Sequence, residues 1–178
     1  MSAEKLGVAV IGLRMGRSHF LAAIEHPQAE LIAVCDTDEE TVKRTQEQYN
    51  VPIATTNWEE LVDRDDIQIA SVCTPDHFHC EMTVAFLDAG KHVIVEKPMA
   101  RTVEECEQMI AAARRNNLKL MVAQVCRFYS FFQTAKRWSE DGTLGEVYYV
   151  ETSYLHNYED IPGVGEWRWD PEKRHPLV

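Results

Sequence analysis

Apolar runs of strand type alternate with stretches of helical spacing from the start of the chain to about residue 123. LGVAVIG, ELIAVCD, QIASVCT, KHVIVE and LKLMVAQ are nearly unbroken in small and branched apolar residues, and the segments between them repeat apolar positions every three or four residues. Unbroken apolar strands joined by helical crossovers predict a parallel sheet covered on both faces. A further short strand is expected at residues 52–55 and a small helix at 58–63. Residues 1–123 therefore predict an α/β domain with a doubly wound parallel sheet, the Rossmann arrangement.

The expected helix starts fit this layout. Thr37 with Glu40, and Thr102 with Glu105, have the spacing of a capping box, in which hydroxyl and carboxylate each satisfy a free backbone N–H. Asp76 is the expected N-cap of a helix that carries Phe78, Met82, Ala85, Phe86 and Ala89 on one face and stops at Gly90. Beyond residue 123 the pattern changes. Residues 124–132 mix aromatic and polar side chains, 133–140 have helical spacing, Asp141-Gly142 and Leu144-Gly145 mark a turn, and residues 146–154 predict a strand from their β-branched and aromatic content. Residues 124–178 are thus expected to begin a second α/β domain and leave it incomplete, with an open strand edge and exposed rings such as Trp167 and Trp169.

Composition narrows the class. Hydrophobic residues make up 45% and charged residues 26%, ordinary for a folded soluble chain, so disorder is disfavoured. The N-terminal lead lacks the basic flank and cleavage site of a signal peptide, no apolar run is long enough for a membrane helix, and the expected address is the cytoplasm. With 29 acidic against 18 basic residues and a net charge of −11, neither nucleic acid nor an anionic membrane is an expected partner. The five cysteines form no C-x-x-C pair, and His77 and His79 lack further ligands at metal spacing, so no metal is expected.

In a doubly wound sheet, ligands bind beyond the carboxyl ends of the strands. The first such end carries Gly12-Leu13-Arg14-Met15-Gly16, a short form of the glycine turn that cradles a dinucleotide. Gly12 suits the tight turn and Gly16 a close helix–strand contact. Arg14 occupies the interval where backbone approaches a pyrophosphate, and Met15 completes the loop offered to the cofactor. Asp36, 24 residues after Gly12, is placed to accept hydrogen bonds from an adenosine ribose. With Asp38, Glu39 and Glu40 nearby it would repel a 2′-phosphate, which favours NAD over NADP. Glu96-Lys97-Pro98 closes the buried run HVIV. A lysine fixed there can exchange a proton with a bound substrate, although a plain surface pair between Glu96 and Lys97 fits the same residues.

The set IGLRMGRSH, VCDTD, CTPDHFH, AGKHVIVEKPMA and VCRFYSFF, in this order, resembles the Gfo/Idh/MocA family of nicotinamide-dependent oxidoreductases over nearly the whole chain. The resemblance implies a sugar or polyol substrate, oxidised or reduced at a hydroxyl or carbonyl carbon, and a homo-oligomer in the full-length protein. It assigns the pyrophosphate to Gly12 and Gly16, the ribose to Asp36, the nicotinamide side of the cleft to Thr74, Pro75 and His79, a place close to the reaction to Glu96, proton exchange to Lys97, and a position near the substrate to Arg127. Two features depart from the family pattern. The loop is short of a glycine, and no G-x-H-x-x-D segment follows residue 128, so the chain looks like the first half of a family member. His156 and His175 match no family position. A non-catalytic nucleotide-binding or interaction module is the alternative, and a methyltransferase shares the loop and the acid.

Overall fold

The structure, a computed structural model, describes residues 5–153 and residue 155. Its chain divides between Ala123 and Gln124 into two units. In the first unit six strands form one sheet: β1 (Leu6–Ile11), β2 (Ala29–Cys35), β3 (Ile53–Thr55), β4 (Ile69–Val72), β5 (His92–Val95) and β6 (Leu120–Val122). All pairs are parallel and the order is β3-β2-β1-β4-β5-β6. The crossover direction reverses between β1 and β4, so the crevice of this sheet opens at the carboxyl ends of those two strands. This is the doubly wound architecture that the apolar runs predict.

The helices are α1 (Arg17–Glu25), α2 (Glu39–Tyr49), α3 (His79–Asp88) and α4 (Val103–Arg115). Alternation along β1 shows how they cover both faces. Val8 and Val10 pack with Phe20 and Ala23 of α1 and Val42 of α2, whereas Ala9 and Ile11 pack with Met82, Phe86 and Leu87 of α3 and Met109 and Ala112 of α4. Successive side chains of one strand thus enter opposite cores, which is why the strand is apolar at nearly every position.

Helix ends follow the sequence in part. Thr102 and Glu105 form the expected capping box on α4. At α2 the cap is Asp38, which accepts from Glu40 N and from the Thr41 hydroxyl, so the box expected from Thr37 does not form. Asp76 is no cap either. It opens a short 3₁₀ turn, Asp76–Phe78, that precedes α3, and Phe78 is exposed rather than turned into the core. Gly90 adopts a φ of +83° just past α3, as its place after the helix requires. Among the described residues no helix is long and apolar enough to cross a membrane.

The second unit contains a 3₁₀ turn at Val125–Phe128 and α5 (Ser130–Glu140), followed by the turn at Gly142 and Gly145. The described residues from 146 onward have no regular hydrogen-bonded structure, and Tyr148 is 94% exposed. The strand expected there is not formed, because β propensity yields a strand only where a neighbouring strand accepts its ladder. The rings of Phe128, Tyr129 and Phe131 are exposed too. Tyr154, His156, Trp167, Trp169 and His175 lie outside the described residues.

Candidate functional site

Four strand ends meet along the carboxyl edge of the first unit. At the end of β1 the backbone turns at Gly12 with a φ of +90°, and a Cβ there would stand 2.5 Å from the Cys73 carbonyl oxygen. No other residue fits that approach, because both the dihedral angle and the contact exclude a side chain. Gly16 lies against the same turn: its N–H donates to the Gly12 carbonyl at 2.9 Å, and a Cβ would come within 2.3 Å of that oxygen. Between the glycines Leu13 is buried, whereas Arg14 and Met15 are exposed. The loop therefore buries one apolar anchor and presents two side chains outward.

Gly16 is also the N-cap of α1 and supplies no side-chain cap. The first-turn amides of Arg17, Ser18 and His19 have no acceptor among the described residues. Free amides at the positive end of a nine-residue helix form a receptor for an anion.

Asp36 follows β2 and is half-buried. Its Oδ2 accepts from Leu13 N at 2.7 Å and its Oδ1 from Asp38 N at 3.1 Å. The acid thus ties the loop after β1 to the start of α2. Each carboxylate oxygen has a second acceptor site, so a ribose hydroxyl can still bind there. Asp38, alongside, is held below the usual carboxylate range, first by the Thr41 hydroxyl and in lesser part by the Arg14 guanidinium. These features fit a dinucleotide: an anion receptor at α1, a backbone-only turn, and a carboxylate one strand away.

After β4, Thr74 and Pro75 lead into the 3₁₀ turn. His79 is only 1% exposed. Its Nδ1 lies 2.8 Å from the Pro98 carbonyl oxygen and its Nε2 lies 2.9 Å from that of Thr74. It acts as an internal brace between the segments that follow β4 and β5, and its ring does not line a cleft.

After β5, Glu96 is 8% exposed. Its Oε2 accepts from Lys97 N at 3.0 Å, and its Oε1 stands 3.2 Å from Nε2 of His19 on α1. The other ring nitrogen of His19 lies 2.7 Å from Ser71 Oγ, and that hydroxyl is 3.5 Å from Cys73 Sγ. The His19 pKa is raised from 6.5 to about 10 by the nearby Cys73 side chain first and then by the hydrogen bond to Glu96, against the opposing effect of burial. Burial drives the Glu96 pKa upward, but the hydrogen bonds from His19 and Lys97 N outweigh it and hold the carboxyl below its usual range. An imidazolium–carboxylate pair therefore sits beneath the edge at neutral pH.

Lys97 is exposed, and its Nζ has no hydrogen-bond or ion-pair partner among the described residues. The surface pair with Glu96 that the sequence also allowed is not formed. Arg127 lies in the 3₁₀ turn of the second unit, beside Phe128 and Lys136 on the wall of a surface cavity of about 630 Å³. Sequence reasoning missed His19, Ser71 and Cys73 as members of this constellation.

Comparison with known proteins adds a family assignment to the geometry. The family model described as "Oxidoreductase family, NAD-binding Rossmann fold" (Gfo/Idh/MocA) matches residues 6–124. A levoglucosan dehydrogenase of Pseudarthrobacter phenanthrenivorans is 30% identical over 176 residues, which cover 93% of this chain and 45% of that protein. A protein named glycosyl hydrolase family 109 protein 1 from Bacteroides thetaiotaomicron is 31% identical over 185 residues, 97% of this chain and 39% of its own length. The solved complex of a levoglucosan dehydrogenase with NADH and levoglucosan superimposes with a TM-score of 0.74 at 31% identity, covering 80% of this chain and 41% of that one. The chain spans less than half the length of each of these relatives.

Proposed function

Because the chain belongs to the Gfo/Idh/MocA oxidoreductase family, whose matched region is an NAD-binding Rossmann fold, we propose that it serves nicotinamide-dependent oxidation or reduction of a hydroxyl or carbonyl carbon in a sugar or polyol. One observation carries this reading. An unpaired lysine ammonium stands at the end of β5, on the same sheet edge as the free first-turn amides of α1 and the Asp36 carboxylate.

The roles follow from position. The amides of Arg17 and Ser18, with the backbone of the Gly12–Gly16 turn, hold a pyrophosphate; Asp36 accepts from the adenosine ribose; Thr74 and Pro75 border the nicotinamide side, braced from behind by His79. Bound NAD supplies hydride transfer at its nicotinamide ring. Lys97 Nζ gives a proton to the substrate oxygen in the reducing direction and removes one in the oxidising direction. Arg127 serves substrate binding. The named substrate of the dehydrogenase relative, levoglucosan, supports the sugar class.

Calorimetric titration of the chain with NADH and NADPH tests the cofactor part, with NADH expected to bind the more tightly. Lys97→Ala in the full-length protein is expected to reduce turnover by about 10²- to 10⁴-fold with little change in NADH affinity. Unchanged turnover in that variant would remove Lys97 from the mechanism. A second reading, cleavage of a glycoside, is favoured by the 31% identity to the family 109 glycosyl hydrolase. Release of free sugar from a synthetic glycoside without net NADH formation would select it.

A further inference from the structure

Lys97 has a carboxylate as its immediate neighbour and does not pair with it. Glu96 directs one oxygen to His19 Nε2 and the other to the backbone N–H of Lys97, and no ion pair between Glu96 and Lys97 Nζ forms among the described residues. His19 is held for this task from its far side. Its Nδ1 lies 2.7 Å from Ser71 Oγ, and that hydroxyl lies 3.5 Å from Cys73 Sγ. The titratable groups that face it from other elements are Cys73 after β4 and Glu96 after β5, and its pKa, raised to about 10, leaves the ring charged at neutral pH.

We infer that His19 is a positioning residue for Lys97: by holding one oxygen of Glu96 and balancing its charge from beneath the sheet edge, it keeps the lysine ammonium out of a close ion pair with that carboxylate and available to a substrate oxygen. The inference rests on Lys97 as the proton carrier. Loss of the His19 charge would leave Glu96 as a buried, uncompensated carboxylate, and the nearest cation able to answer it is Lys97. A carboxylate that captures the ammonium raises the lysine pKa by roughly 1–3 units.

The test measures the amine directly. Acetylation of Lys97 by N-hydroxysuccinimidyl acetate at pH 7.5, mapped by peptide mass spectrometry with Lys43 as the internal reference, reports the unprotonated fraction. His19→Gln retains hydrogen-bonding capacity toward Ser71 and Glu96 but not the charge, and is expected to slow acetylation of Lys97 by about 10-fold or more. The double variant His19→Gln with Glu96→Gln is expected to restore the wild-type rate, as a purely packing role for His19 would not require. Glu96→Gln alone is expected to change the rate less than about twofold, because the charge of Glu96 is already matched. A His19→Gln protein with a native amide spectrum and unaltered Lys97 reactivity would overturn the inference. So would a large acceleration in Glu96→Gln, which remains informative should His19→Gln fail to fold. Full turnover in Lys97→Ala would sink the proton-carrier role while leaving these labelling rates intact, so the two failures are distinguishable.

Discussion

His19 and Glu96, 77 residues apart in sequence, meet at 3.2 Å and join the first helix to the end of the fifth strand. The pair gives stability a defined pH dependence. Because the His19 pKa is raised in the folded state, its contribution is complete below the unfolded value of 6.5 and is lost as pH rises through about 10. Because the Glu96 pKa is lowered, its contribution is present above 4.5 and is lost as pH falls below that. Urea unfolding of wild type and His19→Gln is therefore expected to differ most between pH 5 and 6.5, by about 1–3 kcal/mol. The difference should shrink steadily toward pH 10. A gap that widened with rising pH would contradict the charged pair.

Gly12 and Gly90 both occupy the left-handed region, with φ of +90° and +83°, yet their surroundings differ. A Cβ at Gly90 meets nothing within 4 Å, whereas one at Gly12 meets the Cys73 backbone at 2.5 Å. Gly90→Ala is expected to cost about 1–2 kcal/mol, the dihedral term alone. Gly12→Ala adds a backbone collision at the crevice. It is expected to lower stability further and to abolish NADH binding, as measured by thermal unfolding and calorimetry on the same samples.

The brace at His79 predicts a similar division. Its buried ring meets the carbonyl oxygens of Thr74 and Pro98 and fills space in the core. His79→Ala removes the ring's N–H donor and opens a cavity, so chemical denaturation should reveal a loss of about 2–4 kcal/mol. A loss under about 0.5 kcal/mol, the range of an ordinary surface substitution, would show that the two segments hold their places without the ring.

The sheet was legible because its strands are apolar on both faces, a pattern that only a covered parallel sheet requires. The strand ends then pointed to Gly12, Asp36 and Lys97. What escaped was interior polarity. Ser71 interrupts the apolar run of β4, and a hydroxyl in a covered strand needs a partner, so its need was readable although the partner was not. His19, in a first helical turn, looks no different in sequence from a solvent-facing histidine until the fold brings Glu96 to it. The cap at α2 moved from Thr37 to Asp38 because Asp38, its own N–H held by Asp36 Oδ1, accepts from Glu40 N and the Thr41 hydroxyl. The expected strand at 146–154 failed for a different reason: its residues favour β structure, but the described residues supply it no adjacent strand.

Asp36 has two duties, and they can be separated. It anchors the loop through Leu13 N and Asp38 N, and in the proposed function it accepts from the adenosine ribose. Replacement by serine removes the charge and shortens the side chain. Loss of one charged hydrogen bond to a ribose is worth about 1.5–3 kcal/mol, so NADH should bind roughly 10- to 150-fold more weakly. NADPH should lose less or gain, because the carboxylate that repels a 2′-phosphate is gone and Arg14, close enough to act on Asp38, becomes the dominant charge nearby. Paired titrations of Asp36→Ser with NADH and NADPH decide between the duties. A fall in the NADH-to-NADPH preference is expected and places the carboxylate on the ribose. An equal loss for both cofactors, accompanied by a lower melting temperature, would mean that Asp36 acts only by holding the glycine turn in shape.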